Sequence, residues 1–374
     1  MHPLKFLQDS WAVSITFFFS KISPFLKREY PLGGGIFHKI NQNTMKQFTI
    51  TENDATQRLD RFLKKLLPNA SSSLIYKFNR KNKIKVNGKR EDNEYKLQVW
   101  DIVKVFLLDS EWAELTKVIS TSEVVWESRE KFDTKNIVYE DGDLLVINKE
   151  PWINVHPGDH KTKESNVISQ VQDYLGNKLN SLTFKPSLVH RIDRDTSGLL
   201  LIGKKKEMLT RLVEDFKDHK KVTKIYYALV LWKLPQKKWI VDVKLLRIEW
   251  AKNEDKVQVS DAWQTALTHY TVLNEISFDT PTGKKVISEV EVEIKTWRMH
   301  QIRVHMAHLG CPIVGDNKYG DKSFNGYLAK NYWLTRQALH AWKIEFFHYT
   351  KQKTQKLEAK IKKDLVDFVQ KLQK

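Results

Sequence analysis

The densest chemistry in this chain lies in one run, His190-Arg191-Ile192-Asp193-Arg194-Asp195-Thr196-Ser197. It leads into Leu199-Leu200-Leu201-Ile202, a short apolar run between Gly198 and Gly203, as a buried strand would show. A polar block feeding a buried strand sets charged side chains at the mouth of a core, where clefts are built. Asp193 and Asp195 each offer a carboxylate that could act as nucleophile or base. Residue types and spacing do not choose between the two. A solvated loop with an Arg–Asp surface pair would read the same way.

The rest of the composition narrows the class. With 374 residues the chain can bury a large core and hold more than one domain. Its formal charge of +18 points to a polyanionic partner, nucleic acid first, with a basic tail as the plainer alternative. No apolar run reaches the ~18 residues that a membrane span needs. Cys311 is the single cysteine, which excludes an internal disulfide and a cysteine-cluster metal site and fits a reducing cytoplasm. His300, His305 and His308 are close in sequence, but Arg303 stands among them, and no metal site is expected there.

Residues 1–45, with the apolar run Trp11 to Phe19 and Gly33-Gly34-Gly35, read as a leader outside the fold, and translation is expected to begin at Met45. Residues 46–107 form a small basic α/β unit. Leu59, Phe62, Leu63, Leu66 and Leu67 share one helical face, and Ser71 to Ser73 can cap a second helix. Ile84-Lys85-Val86, a tight turn at Asn87-Gly88, and Ile102 to Val105 read as strands. Lys77, Arg80, Lys81, Lys83, Lys85, Lys89 and Arg90 crowd one segment and can track a phosphate backbone. Residues 108–134 read as a linker. Residues 135–350 carry the remaining motifs, and a helix starting near Ser165 should stop at Gly176. Over 351–374, Leu357, Ile361, Leu365, Phe368 and Leu372 fall at helical spacing among lysines, which predicts a basic amphipathic helix with no assigned chemistry.

His190-Arg191-Ile192-Asp193, then Thr196-Ser197-Gly198-Leu199-Leu200, resembles the active-site motif of the RluA-type pseudouridine synthases. The match extends to Asn148-Lys149 with Val155-His156-Pro157-Gly158, to Lys224-Ile225-Tyr226-Tyr227-Ala228, and to Arg298-Met299-His300-Gln301-Ile302-Arg303-Val304-His305. Gly315-Asp316, Lys318-Tyr319-Gly320 and Arg336 to Ala341 follow in the family's order. Arg58-Leu59-Asp60 and Ile84 to Lys89 resemble an S4 RNA-binding domain. The resemblance implies an α+β fold, with a mixed central sheet in the catalytic domain and a small α/β S4-like domain before it. It also implies isomerisation of uridine to pseudouridine in RNA, without metal or cofactor. Asp193 is then the reacting carboxylate. Burial under RNA favours protonation of any carboxylate and a neighbouring arginine opposes it; the resemblance gives that place to Arg303. Tyr226 would stack on the uracil and is a candidate to help remove the C5 proton. Arg191 would fill the space left by an extruded base. His190 and Thr196 would be further substrate contacts, with the backbone around Ile302 and Leu339 lining the pocket. Large-subunit ribosomal RNA is the expected partner of a monomer, transfer RNA the alternative substrate. A non-catalytic S4-type RNA-binding protein is the rival reading. A hydrolase would ordinarily need a second working carboxylate at a set separation.

Six tryptophans stand where the family has glycine: Trp100, Trp152, Trp232, Trp239, Trp263 and Trp297. Such positions are glycine because they need a left-handed backbone or lack room for a Cβ. Glycine is also scarce, at 14 of 374 residues, against a usual ~7% that the 12 tryptophans would restore. The expectation is a UGA codon, read as glycine by the source organism and translated here as tryptophan.

Overall fold

Residues 43–117, 130–157, 165–176, 179, 181–218, 220–248, 256–261 and 263–374 are described by the structure, a computed structural model. The expected leader up to Gln42, residues 118–129 of the expected linker, and Gly158 of the first motif lie outside the described residues.

The N-terminal unit is built as its patterning requires. Strand β1 (Asn43–Thr49) is followed by helices α1 (Leu59–Leu66) and α2 (Ser72–Arg80), then strands β2 (Ile84–Val86) and β3 (Ile102–Leu108). The sheet is antiparallel in the order β1-β3-β2. Leu59, Phe62, Leu63 and Leu67 are buried in its core as the helical spacing predicts. Ser71 caps α2, its hydroxyl accepting from Leu74 N at 3.1 Å. Asn87 and Gly88 both take positive φ, 51° and 81°, the signature of the tight hairpin turn.

Two boundaries differ from the sequence expectation. The strand β1 begins at Asn43 and pairs Thr44 with Leu107 and Met45 with Phe106, so the expected break at residue 45 falls inside a strand. The polar run Asn43 to Lys46 carried no strand signal, because pairing to β3 supplies what its side chains do not. The expected linker opens with helix α3 (Asp109–Thr116), whose Leu115 and Trp112 pack on the same core.

A buried carboxylate ties this unit to the segment Ser181 to Thr183. Asp54, fully buried, accepts from Leu182 N and Thr183 N at 2.9 Å each, and from the hydroxyls of Thr183 at 2.7 Å and Ser181 at 3.0 Å. Those bonds outweigh the upward push of burial and hold its carboxyl below the usual range.

The larger domain comprises β4 (Ile137–Glu140), β5 (Leu144–Lys149), α4 (Val167–Leu175), β6 (Ser187–Leu188), β7 (Ser197–Gly203), α5 (Lys206–Lys217), β8 (Thr223–Leu231), β9 (Lys238–Ile248), β10 (Lys256–Val259), β11 (Gln264–Thr280) and β12 (Gly283–Ile294). These are followed by α6 (Gln301–His308), α7 (Lys322–Tyr332), β13 (Leu339–His348), β14 (Lys353–Glu358) and α8 (Lys363–Leu372). The sheet runs β10-β9-β11-β12-β8-β13-β7-β5-β4, with β14 on β13 and β6 on β7. It is mixed because β13 and β7 pair in parallel while the other pairs are antiparallel. Gly198 permits that contact: a Cβ there would meet the Ala341 carbonyl oxygen at 2.2 Å. Gly176, at φ 42°, ends α4 as expected. Among the described residues no helix is long and apolar enough to cross a membrane.

The chain end departs from the single helix expected over 351–374. Lys353 to Glu358 form a strand on β13, and only Lys363 to Leu372 are helical. Leu357 serves the sheet, while Leu365, Phe368 and Leu372 are buried against the main core. The shared 3.6-residue spacing of Leu357 with that set is therefore coincidental. Nor is the helix idle. Its Asp364 takes Arg336 at 2.6 and 3.0 Å, and Arg336 Nη1 donates to the Asp195 carbonyl at 3.3 Å, bracing the polar loop from behind.

Backbone conformation bears on the tryptophans. Trp100, Trp152 and Trp232 lie at φ 73°, 71° and 77°, in the left-handed region. Trp333, not among the six, joins them at φ 60°. Trp239, Trp263 and Trp297 lie outside that region, so a left-handed backbone does not account for glycine at those three.

Candidate active site

Asp193 sits in the loop between β6 and β7, its side chain about one-third exposed, 31%. Arg303, in the first turns of α6, donates from Nη1 to Asp193 Oδ2 at 2.8 Å. Asp195 receives no such contact, so the tertiary structure separates the two carboxylates that sequence spacing left equivalent.

Arg303 is itself held from behind. Its Nε and Nη2 donate to the two oxygens of Asp316 at 2.6 and 2.9 Å, a bidentate fork. Asp316 is fully buried and also accepts from Lys318 N at 2.8 Å and Tyr319 N at 3.0 Å. Burial opposes the charge on both partners, and their mutual bonds overcome it: the guanidinium lies above its ordinary value and the Asp316 carboxyl below. Gly315 lets the Asp316 loop approach the chain, since a Cβ there would meet the Arg336 carbonyl oxygen at 2.0 Å. In the sequence, Gly315-Asp316 stands out as a motif, but nothing there gives Asp316 a task. Nothing in spacing links residues 303 and 316 as a pair.

Asp193 and Tyr226, the latter on β8 and 7% exposed, line one cavity. Burial, then the charge of Asp193, pushes the Tyr226 phenol above the ordinary range, so it holds its proton at neutral pH. Ile302 and Leu339, both buried, line the cavity. Arg191 is exposed at the same cavity. His190 is more committed: its Nε2 accepts from Leu201 N at 3.3 Å and its ring stacks on Phe216 at 4.8 Å. Burial lowers it to about 3. Thr196 is buried at the cavity wall, and its hydroxyl oxygen accepts from Gln337 at 2.7 Å.

Two further residues stand beside Asp193 or its loop that the sequence quotes within motifs but gives no role in the site. Lys149, 1% exposed, donates from Nζ to the carbonyls of Glu150, Ile153 and Arg194 at 2.7, 3.0 and 2.8 Å. It ties the first motif to the Asp193 loop, and burial lowers its ammonium to about 7. His300, weighed in the sequence as a metal ligand and quoted in the Arg298-to-His305 motif without a role, lies with Nε2 3.9 Å from Asp193 Oδ2 and with Nδ1 2.9 Å from the Tyr319 hydroxyl. Burial, against the pull of Asp193, lowers it to about 4. His305 lies on the same helix, fully buried.

The cavity measures about 1650 Å³. Arg191, Lys217, Arg247, Lys256, Arg298 and Lys318 stand on its walls, and this cationic lining suits a polyanion more than a small neutral ligand. Of the N-terminal patch, Lys77, Arg80, Lys81, Lys89 and Arg90 are exposed. Lys83 pairs with Glu111 of α3 at 3.1 Å, and Lys85 lies half-buried over Phe106 at 5.8 Å, so these two are partly occupied.

The buried histidines carry a pH prediction. Burial lowers His305 and His340 to about 4, below the ~6.5 of an unfolded chain. The unfolded state then binds more protons, and stability present above pH ~6.5 is lost as pH falls toward ~4. Each contributes up to about 1.4 kcal/mol per pH unit in that window. Urea unfolding at pH 7.5, 6 and 5 checks it; equal midpoints at all three would contradict the assignment.

A family model described as RNA pseudouridylate synthase matches residues 143–308. The ribosomal large subunit pseudouridine synthase C of Pasteurella multocida is 35% identical over 325 residues, covering 86% of this chain and 92% of the relative. That of Vibrio cholerae is 34% identical over 338 residues, covering 88% and 98%. Among solved structures, human RNA pseudouridylate synthase domain containing 4 is 25% identical, with a TM-score of 0.49 over 64% of this chain and 93% of its own.

Proposed function

From its membership of the RluA-type RNA pseudouridine synthases, the family to which this chain belongs, we propose that it acts on large-subunit ribosomal RNA with Asp193 as the reacting carboxylate. The observation that carries the assignment is the Asp193–Arg303–Asp316 chain at the wall of a large cationic cavity. Arg303 orients the carboxylate and balances its charge, while Asp316 prevents the guanidinium from turning away.

The glycosidic bond is inaccessible in a stacked helix, so the uridine must leave its stack. Exposed Arg191 has the freedom to occupy the vacated space. The uracil lies against Tyr226, between Ile302 and Leu339. Asp193 acts as nucleophile or base while N1–C1′ breaks; the uracil turns, C5 bonds to C1′, and the C5 proton leaves. Tyr226 keeps its own proton, so it relays one only as another group removes it. The residues of the chain suffice without a cofactor. The S4-like unit adds Lys77, Arg80, Lys81, Lys89 and Arg90 as backbone contacts, with Lys83 and Lys85 lesser ones. The protein works as a monomer in the cytoplasm, where its RNA is.

Pseudouridine mapping of ribosomal and transfer RNA tests this, in cells lacking the native enzyme and supplied with this chain or with Asp193→Asn. Sites in large-subunit RNA restored by the first and absent with the second are expected. Restoration only in transfer RNA would move the substrate. Equal restoration by both would remove Asp193 from its role. No site from either, with RNA binding intact, would favour a non-catalytic S4-type binder.

A further inference from the structure

Two lysines are buried among the described residues, and they are used differently. Lys149 spends its ammonium on three carbonyls. Lys224 is 6% exposed and has no acceptor among the described residues. Its Nζ lies 4.1 Å from the ring centre of Trp297 and 5.5 Å from that of Phe216. Ring faces attract a cation only weakly compared with the penalty for burying its charge. Burial accordingly lowers the ammonium to about 7. Lys224 lies two residues before Tyr226 on β8, on the same strand face, and lines the same cavity.

A buried cation without an acceptor, facing a cavity, is explained when a ligand supplies the missing anion. We propose that Lys224 receives a backbone phosphate of the RNA beside the uridine held on Tyr226. This rests on the reading of the cavity as an RNA cleft. An ammonium is a compact point charge suited to a phosphate oxygen. Phe216, on whose ring His190 stacks, walls the contact whichever residue stands at 297 and so strengthens it.

RNA binding on an Asp193→Asn background tests the contact without turnover, using a large-subunit ribosomal RNA transcript across a salt series at pH 6.5. Lys224→Met is expected to weaken binding roughly tenfold to a hundredfold. It should also flatten the dependence of log K on log salt by roughly 0.7–0.9, one phosphate's share. Lys224→Arg should restore most of both. An unchanged salt slope for Lys224→Met overturns the proposal, because loss of packing alone releases no counterion. If that variant melts early, Lys224→Gln gives the same readout with a polar side chain in the same place, and an unchanged salt slope for it likewise overturns the proposal. Failure of Asp193→Asn itself to bind RNA would instead sink the functional reading.

A second observation stands independently. Trp152 follows Pro151 in a turn at φ 71°, the proline-then-glycine arrangement of a type II turn. Trp333 caps α7 in the left-handed region at φ 60°, its N–H donating to Ala329 O, where helices end on glycine. Trp100 and Trp232 share that conformation. A bulky residue at positive φ is an outlier, whereas Asn82 and Asn87 there are ordinary. We infer that these four positions are glycine in the native protein, encoded by UGA. Peptide mass mapping of the protein from its own source decides it. Glycine at all four is expected; tryptophan at them overturns the inference.

Discussion

Asp316→Ala is expected to destabilise the protein by about 3–5 kcal/mol, because it strands a buried guanidinium. Arg303 is 8% exposed and gives three of its donors to carboxylates, two of them to Asp316. Without Asp316 the guanidinium keeps one partner, Asp193, and loses the fork that sets its plane. The Lys318 and Tyr319 amides lose their acceptor as well. Turnover should fall about a hundredfold, as a displacement near 1 Å at a reacting group does. Asp316→Asn keeps the shape and one acceptor oxygen and should fall between the two. Urea unfolding and single-turnover assays read the two effects separately. Loss of less than about 1 kcal/mol with full turnover would show that Arg303 needs no brace.

The second prediction has the opposite sign to most substitutions. Glycine at residues 100 and 333 together should stabilise the chain by about 0.5–1 kcal/mol. A left-handed backbone costs a side-chain-bearing residue about 1–2 kcal/mol, and the greater freedom of unfolded glycine returns about 0.5–1 of that. Burial opposes little, since Trp100 and Trp333 are 78% and 76% exposed, whereas Trp152 and Trp232, 42% and 37% exposed, would lose buried apolar area that offsets the relief of strain. One ring contact is lost, Lys371 over Trp333 at 3.7 Å. At an exposed site it is worth about 0.5–1 kcal/mol. Chemical unfolding of the twofold variant against the parent measures the balance, and a lower midpoint would contradict the strain argument. Residue 152 has a further consequence. Its carbonyl accepts from Arg194 Nε at 3.1 Å, so relaxing that turn acts directly on the loop carrying Asp193.

Part of this protein was decided within short stretches. The helical face of Leu59 to Leu67, the Asn87-Gly88 turn and the buried strand after Ser197 depend on neighbours a few residues away, and each formed as its pattern predicts. The motifs around Asp193, Tyr226 and Arg303 were legible for the same reason, since each is contiguous. What joins them is not local. Asp193 meets Arg303 across 110 residues, Asp54 clasps Thr183 across 129, and Arg336 holds Asp364 across 28. The strands β1 and β14 are made by partners more than by their own polar sequences. The choice of Asp193 over Asp195 as the partner of Arg303, the brace at Asp316, the seat of the Lys224 ammonium against aromatic rings and the left-handed turn at Trp333 all depend on which side chains the sheet brings together. Local pattern specifies elements because its forces act within a few residues; the site is set by contacts that exist only after those elements have packed.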